Sequence, residues 1–306
     1  MKIDSNETLI FGAGGQVGNR LRGLLPNAVA LDRDQVDFTQ LETISEVLEE
    51  YKPKIVINAA AYTAVDLAEK EPEIAHLVNA EAPGRISEWC CANKAIFVHY
   101  STDYVFPGKG MEGSVENTAP GPINEYGKSK LEGEKLVVKH FYKQGLDKGR
   151  FFIFRTSWVY DSLGKNFLLT MLKLGAEKET LNIVSDQIGA PTYAKDIAEK
   201  TIAAVTRAMD KDPFPSGVYH FCQAGETSWF LFAEEIFTLA RDKGFDIKVK
   251  TVNPIRTEEY PAPAKRPMNS RMDCSKLETR LDLKFRNWKV ALNECIEDLY
   301  TRYHTS

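Results

Sequence analysis

The sequence predicts an α/β protein, a doubly wound parallel sheet with a smaller lobe at its C-terminal side. Three observations lead there. Short apolar, β-favouring runs alternate with amphipathic stretches up to Tyr160, the order that builds parallel sheets. A glycine-rich turn separates the first of these runs from the first amphipathic stretch. Beyond Tyr160 the strict alternation loosens, as it does when a chain leaves one sheet to build something over its edge.

The elements follow in order. Thr8-Leu9-Ile10-Phe11 is a short strand that stops at Gly12-Ala13-Gly14-Gly15-Gln16-Val17-Gly18. Val17, Leu21, Leu24 and Leu25 then lie on one side of a helix. Strand, glycine turn and helix in succession are the setting of a dinucleotide-binding loop. Gly12 permits the tight turn, Gly15 admits a pyrophosphate to the backbone, and Gly18 lets helix and strand pack closely. The helix start offers unpaired N–H groups and a positive dipole end. A second strand, Ala28–Leu31, ends at Asp32, an acid placed to bond a ribose 2′-OH, while the adjacent Arg33 suits a 2′-phosphate. NADH and NADPH therefore both stay open. Asp37-Phe38 can contact an adenine, and Thr39 is a candidate N-cap for a helix ending near Tyr51.

Lys54–Asn58 is almost wholly apolar, as a buried parallel strand should be. It runs into Ala59-Ala60-Ala61-Tyr62-Thr63, whose small side chains let a flat cofactor lie against backbone. A single helix is expected over Glu73–Asn93, then a strand over Ala95–Tyr100 that delivers Ser101-Thr102-Asp103 to the carboxyl edge of the sheet. A Gly/Pro-rich loop, Phe106–Asn124, enters the helix that opens with Tyr126-Gly127-Lys128-Ser129-Lys130, and Arg150–Thr156 is the next strand. Later elements are a helix over Asn166–Gly175, a strand over Leu181–Val184 and helices over Ala194–Ala208 and Ser228–Lys243. A strand over Gly217–Phe221 and a last helix over Trp288–Tyr300 complete the set. The domain reading is a Rossmann-like, cofactor-binding unit over residues 1–160, rejoined by part of 192–222, and a mainly substrate-binding lobe over 161–306.

Composition narrows the class. The chain has 306 residues, 43% hydrophobic and 27% charged, with a formal net charge of −4. That charge supplies no basic field for nucleic acid and no polybasic arm for a membrane. No apolar run reaches the length of a membrane span and the start lacks an apolar leader, so the expected location is the cytoplasm. Five cysteines with no metal-ligand spacing read as free thiols, and the five histidines form no cluster.

Tyr126 and Lys130, four apart, share one helix face. A phenol near its ordinary pKa of about 10 is a poor acid–base catalyst at neutral pH, and a neighbouring ammonium is expected to bring it down. Taken alone the spacing means little, because Tyr-x-x-x-Lys is common on solvated helices.

Its company gives it meaning. Gly12-x-x-Gly15-x-x-Gly18, Asn58-Ala59-Ala60, Ser101-Thr102-Asp103-Tyr104-Val105-Phe106 and Tyr126-x-x-x-Lys130, in that order, resemble the extended short-chain dehydrogenase/reductases. More specific stretches are Ala60–Asp66, Phe154-Arg155-Thr156-Ser157-Trp158-Val159-Tyr160, Asp186-Gln187-x-Gly189-Ala190-Pro191-Thr192 and Arg266-Pro267-x-Asn269-Ser270-Arg271. Together they resemble the dTDP-4-dehydrorhamnose reductase family, from Leu9 to about Trp288.

The resemblance implies hydride transfer from NADPH or NADH to the C4 ketone of a dTDP-4-dehydro-β-L-rhamnose, the last step of dTDP-rhamnose synthesis. It implies Tyr126 as proton donor, Lys130 on the nicotinamide ribose and Thr102 on the ketone oxygen. It places Gly12, Gly15, Gln16, Val17, Gly18, Asp32, Asp37, Phe38, Ala60, Ala61 and Thr63 around the cofactor. Tyr104, Trp158, Asn166, Gln187 and Arg266 fall on the substrate side, with Arg266 or Arg271 as pyrophosphate ligand, and a homodimer is the assembly it suggests. Some relatives bind Mg2+ at an acidic cluster; here Asn19 and Arg20 follow the glycine loop, which argues against a metal site.

Two other readings stand beside this one. An epimerase or dehydratase would use the same scaffold, but dehydratases of this superfamily commonly place an acid pair after the catalytic threonine, and here Thr102 is followed by Asp103-Tyr104. A regulatory subunit of the methionine adenosyltransferase β type resembles the same family without catalysing its reaction.

Overall fold

The computed structural model describes residues 2–143 and 149–305. At its centre six parallel strands run in the order β10-β5-β4-β3-β1-β2. They are β1 (Thr8–Phe11), β2 (Val29–Leu31), β3 (Ile55–Asn58), β4 (Ile96–Thr102), β5 (Phe151–Thr156) and β10 (Gly217–His220). Strand order reverses between β1 and β3, and the carboxyl edge at such a reversal is where open α/β sheets hold ligands. This is a Rossmann-like, doubly wound sheet.

Its two faces are sorted by the pleat, since successive side chains on a strand point to opposite sides. Ile10, Ile57, Val98, Phe152 and Phe154 face one apolar cluster, closed by Leu21 of α1 (Gln16–Leu24), Ile197 and Val205 of α8 (Ala194–Met209) and Leu277 of α10 (Ser275–Leu281). Leu9, Phe11, Val56, Phe97 and Ile153 face the other. Ile44 and Leu48 of α2 (Leu41–Tyr51), Ile86 of α5 (Ala82–Ala92) and Val137 and Phe141 of α6 (Glu125–Lys143) close that side. With both faces covered, the strands read as continuous apolar runs.

A third cluster lies beyond β5. Leu168 and Met171 of α7 (Phe167–Glu177), Phe232 and Phe237 of α9 (Trp229–Asp242) and Leu292 and Ile296 of α11 (Trp288–Thr305) pack on Leu181 and Ile183 of β7 (Thr180–Val184). β7 pairs in parallel with β12 (Thr251–Ile255). That partner strand was not expected from the sequence, because Pro254 lies inside it and its side chains are mostly exposed. A proline is tolerated there because the strand is an edge. Short pairs, β6 (Val159–Tyr160) with β9 (Thr192–Tyr193) and β8 (Ile188–Gly189) with β11 (Thr227–Ser228), stitch the connecting loops.

Two local expectations change. Helix α2 begins at Leu41 with Gln40 at its cap position, so Thr39 does not cap it; the Thr39 N–H instead closes a turn on the Asp37 carboxylate at 2.9 Å. After a short α3 (Val65–Ala68), the helix expected over Glu73–Asn93 runs as α4 (Pro72–His76), one π turn (Leu77–Glu81) and α5. The wide turn holds Asn79 against α6, where a Cβ built on Gly133 would come within 2.1 Å of the Asn79 carbonyl oxygen. π turns inside helices often mark functional positions, and this one carries Asn79 toward α6.

Gly133→Ala should therefore cost about 1–3 kcal/mol, the range for forcing extra volume into a packed contact. Gly23→Ala is the control: it has no neighbour within 4 Å and should gain up to about 1 kcal/mol from reduced unfolded-chain entropy. Thermal denaturation of both variants checks the pair, and equal midpoints would remove the close approach as a constraint.

Candidate functional site

The glycine loop forms the floor of a cleft of about 680 Å³ at the carboxyl edge. Gly12 has φ +77°, and a Cβ there would strike the backbone of Ala60 at 2.5 Å. At Gly18 a Cβ would lie 2.0 Å from the Gly12 carbonyl oxygen, so the first turn of α1 can sit this close to β1 only without side chains. Helix α1 starts from Gly15 with no side-chain cap, which leaves its first N–H groups for an anion. Gly12, Gly15, Asp32, Asp37, Phe38, Ala60, Ala61 and Thr63 all line this cleft; Gln16, Val17, Gly18, Tyr126 and Lys130 do not. The Asp32 carboxylate takes the Asp34 N–H at 3.1 Å, with Arg33 beside it in the lining. Phe38 is buried edge-on against Phe11 and makes a wall of the cleft. An acid at the end of the second strand, bare backbone at the phosphate position and an alanine run opposite fit a dinucleotide.

The second part of the site is one face of α6. Tyr126, Lys130 and Glu134 recur every four residues and so project together toward β4 and β5. Lys130 is 2% exposed, and its Nζ donates to the Tyr100 carbonyl at 2.6 Å. Glu134 takes two hydrogen bonds from Arg155 of β5, at 2.9 and 2.6 Å, a bidentate pair with both partners buried. Asn79 donates to Ser129 at 3.0 Å and to the Tyr62 carbonyl, and accepts the Tyr62 N–H, so it ties α6 to the cleft wall.

A buried chain of polar groups links the wall to the lysine. The Asn58 carboxamide oxygen accepts the Ala60 N–H, so its NH2 faces His99 Nδ1 at 3.2 Å. The other ring nitrogen, Nε2, lies 3.5 Å from Lys130 Nζ. His99 is held neutral, its pKa pushed well below the usual value by burial and then by the Lys130 charge. His99 was missed from the sequence because it reads as one more residue in an apolar strand; its position opposite Asn58 appears only in the β3–β4 register.

Thr102 ends β4, is buried, and donates to Asp103 at 3.0 Å while accepting the Tyr104 N–H at 3.2 Å. Its hydroxyl also acts on the Tyr126 phenol, pulling the pKa of that group down. Tyr104 stands edge-on to Tyr126 at 5.4 Å. The expected lowering of Tyr126 by Lys130 does not occur. Burial pushes the phenol up to about 12, partly offset by Thr102 and reinforced by the Asp103 charge. Burial also brings Lys130 down to about 8 against the pull of Glu134, and raises the Asp103 carboxyl to about 6. The difference has a physical reason: Lys130 is turned to the Tyr100 carbonyl, and the desolvation of the phenol outweighs its other interactions.

Trp158 has φ +47°, a left-handed backbone that is costly for a bulky residue. Its ring stacks on Trp229 at 3.6 Å between centroids and 12° between planes. A Cβ on Gly189 would meet the Trp158 ring at 2.8 Å, which accounts for the glycine of that motif. Gln187 accepts the Trp229 indole N–H at 3.1 Å and donates to Thr257, so it orients the tryptophan pair. Asn166 caps α7 through the Leu169 N–H and donates to Gln16 at 3.0 Å, joining the glycine loop to the later segment. Arg266 pairs with Asp66 at 2.7 Å, near Tyr104, while Arg271 pairs with Glu226. Trp229 was also missed; an aromatic at a helix start looks like ordinary core until the stack is seen. Arg20 sets its guanidinium against Asp161, Asp298 and Tyr193. Among the described residues no three His, Cys, Asp or Glu side chains stand close enough to share a metal ion.

The family model for the RmlD substrate binding domain matches residues 6–301. The chain is 41% identical to dTDP-4-dehydrorhamnose reductase of Burkholderia thailandensis, covering 96% of this chain and 99% of the relative. Against the Escherichia coli K12 protein of the same name it is 40% identical, covering 96% and 98%. The crystal structure of dTDP-4-dehydrorhamnose reductase from Bacillus anthracis in complex with NADP superposes with a TM-score of 0.83 at 36% identity, covering 95% of this chain and 98% of that one.

Removing one member of a buried ion pair leaves the other charge uncompensated, which costs about 3–5 kcal/mol. Glu134→Ala should lose that much in urea denaturation by stranding Arg155. A loss below about 1 kcal/mol would mean that the pair does not anchor α6.

Proposed function

The chain belongs to the RmlD substrate binding domain family, which it shares with the curated dTDP-4-dehydrorhamnose reductases, and from that premise we propose the reaction and the residue roles. The protein is an NAD(P)H-dependent oxidoreductase that reduces the C4 ketone of dTDP-4-dehydro-β-L-rhamnose to give dTDP-L-rhamnose. The observation that carries the reading is the buried Lys130 one helical turn from Tyr126, with Tyr104 and the buried Thr102 at the end of β4 facing that tyrosine, beside a cleft shaped for a dinucleotide.

Reduced nicotinamide, when bound, supplies the hydride. Tyr126 gives its hydroxyl proton to the ketone oxygen as negative charge gathers there. A phenol raised to about 12 suits that direction, because it stays protonated at neutral pH and is still a stronger acid than the alcohol it forms. Thr102 hydrogen-bonds the same oxygen and orients it. Lys130, with its Tyr100 contact as anchor, turns its remaining N–H bonds to the nicotinamide ribose. Asp32 and the glycine-loop backbone hold the adenosine and pyrophosphate portions. Trp158, braced by Trp229, presents a flat face to the deoxysugar, and Arg266 stands by Tyr104 for the nucleotide diphosphate. In this reading residues 1–160, with α8 and β10 returning to the sheet, bind cofactor, and 161–306 mainly bind the nucleotide sugar.

No helix among the described residues is long and apolar enough to cross a membrane. The reading places the enzyme in the cytoplasm, where reduced nicotinamide and nucleotide sugars are made, and as a homodimer, which light scattering would report at twice the chain mass.

The direct test mixes protein, dTDP-4-dehydro-L-rhamnose and either NADPH or NADH, with and without magnesium, and follows nicotinamide absorbance. Oxidation of cofactor with formation of dTDP-L-rhamnose is expected. Cofactor binding without turnover would transfer the reading to a regulatory protein or to another sugar. Tyr126→Phe should lower turnover by roughly 10²-fold or more while cofactor affinity holds; near-normal turnover would remove Tyr126 as donor.

The pH profile follows from Lys130. Its charge is present below about pH 8 and lost above it, so kcat/KM should fall on the basic side with a midpoint near 8. Lys130→Arg keeps a charge that does not titrate in this range, so its lower activity should lack that limb. A limb at the same pH in both proteins would assign it to another group.

A further inference from the structure

Cys222 and Cys274 take no part in the site described above. Cys222 lies just past β10, buried, and Cys274 immediately precedes α10, half-buried. Their Sγ atoms stand 3.5 Å apart. Each thiol also reaches backbone beside the other: Cys274 Sγ lies 3.7 Å from the Cys222 carbonyl oxygen, and Cys222 Sγ lies 3.9 Å from that of Met272. Both residues line a second cavity of about 410 Å³ that shares no lining residue with the nucleotide cleft. Its volume is in the range that admits small molecules. Of the other thiols, Cys90 and Cys91 are consecutive on α5 and cannot face each other, and Cys295 is buried in the third cluster.

We infer that Cys222 and Cys274 form an oxidisable dithiol, closed to a disulfide by a small disulfide oxidant such as oxidised glutathione entering the 410 Å³ cavity. The more exposed Cys274 attacks first. Its thiolate bonds to one glutathione sulfur, the S–S bond of the oxidant breaks, and one glutathione leaves as thiolate. Cys222, deprotonated, then attacks Cys274 Sγ and expels the second glutathione. The two protons from the protein thiols end on the two glutathiones, so the dithiol is oxidised and one glutathione disulfide is reduced. The Cys274 hydrogen bond and burial push the Cys222 thiol up, which keeps Cys222 protonated while Cys274 makes the first attack. The sulfurs must close by roughly 1.5 Å to reach bond length. The bridge would staple the strap 269–274 to the end of β10. That strap is otherwise held by the Ile188–Asn269 and Ser114–Met272 bridges.

The inference is independent of the proposed reaction, and its test needs no substrate. The full chain is incubated with oxidised glutathione, quenched with acid and N-ethylmaleimide, and mapped by mass spectrometry. We expect a 222–274 cross-linked peptide, loss of two of the five free thiols, and reversal by dithiothreitol. Cys222→Ser, its fold checked by circular dichroism, should carry glutathione on Cys274 and form no cross-link. The inference fails if both wild-type residues are alkylated, if glutathione persists on wild-type Cys274 while Cys222 stays free, or if other cysteines cross-link instead.

Discussion

The candidate site of this protein hangs on how one face of α6 is fastened to the sheet. Lys130 and Glu134, one turn apart, are both buried and both partnered, by the Tyr100 carbonyl of β4 and by Arg155 of β5. Burying charge is costly unless it is paired and hydrogen-bonded, so this face has one well-satisfied way to lie on the strands. Tyr126, a turn earlier, is carried to the end of β4 by that docking and meets Thr102 there. The opposite flank is fixed by Gly133 against the π turn and by the Asn79 contacts to Ser129 and Tyr62. The wall of the cleft and α6 are thereby tied together.

Desolvation sets the protonation states. It lifts the Tyr126 phenol and lowers the Lys130 ammonium, so Tyr126 keeps its proton at neutral pH and the lysine sits near its titration point. Beside them a neutral His99 bridges Asn58 and Lys130 without adding charge. Pairs of groups pushed apart in pKa by their surroundings are how one site separates acid and base roles.

The part of the site around Trp158 uses backbone strain and packing instead of charge. Trp158 holds a left-handed conformation that its stack on Trp229 and the bare Gly189 beneath it make tolerable. Gln187 takes part by aiming Trp229, and Asn166 by joining α7 to Gln16 of the glycine loop. These motif residues act on the site through their neighbours, a distinction that residue type and spacing do not carry.

The sequence by itself determined the sheet and the cofactor loop, because both rest on local signals. Apolar runs of strand length mark β1, β3, β4 and β5, and Gly12 and Gly18 mark places where backbone approaches backbone closely. The four-residue spacing placed Tyr126 and Lys130 on one helix face. Only the tertiary structure decided what those groups face. Pro254 concealed β12 because an edge strand tolerates what a central strand does not, and the π turn at Asn79 answers to Gly133 on another helix. His99, Trp229 and the direction of the Tyr126 shift depend on partners far away in the chain. Burial and pairing between distant segments are properties of the assembled core, and no local pattern encodes them.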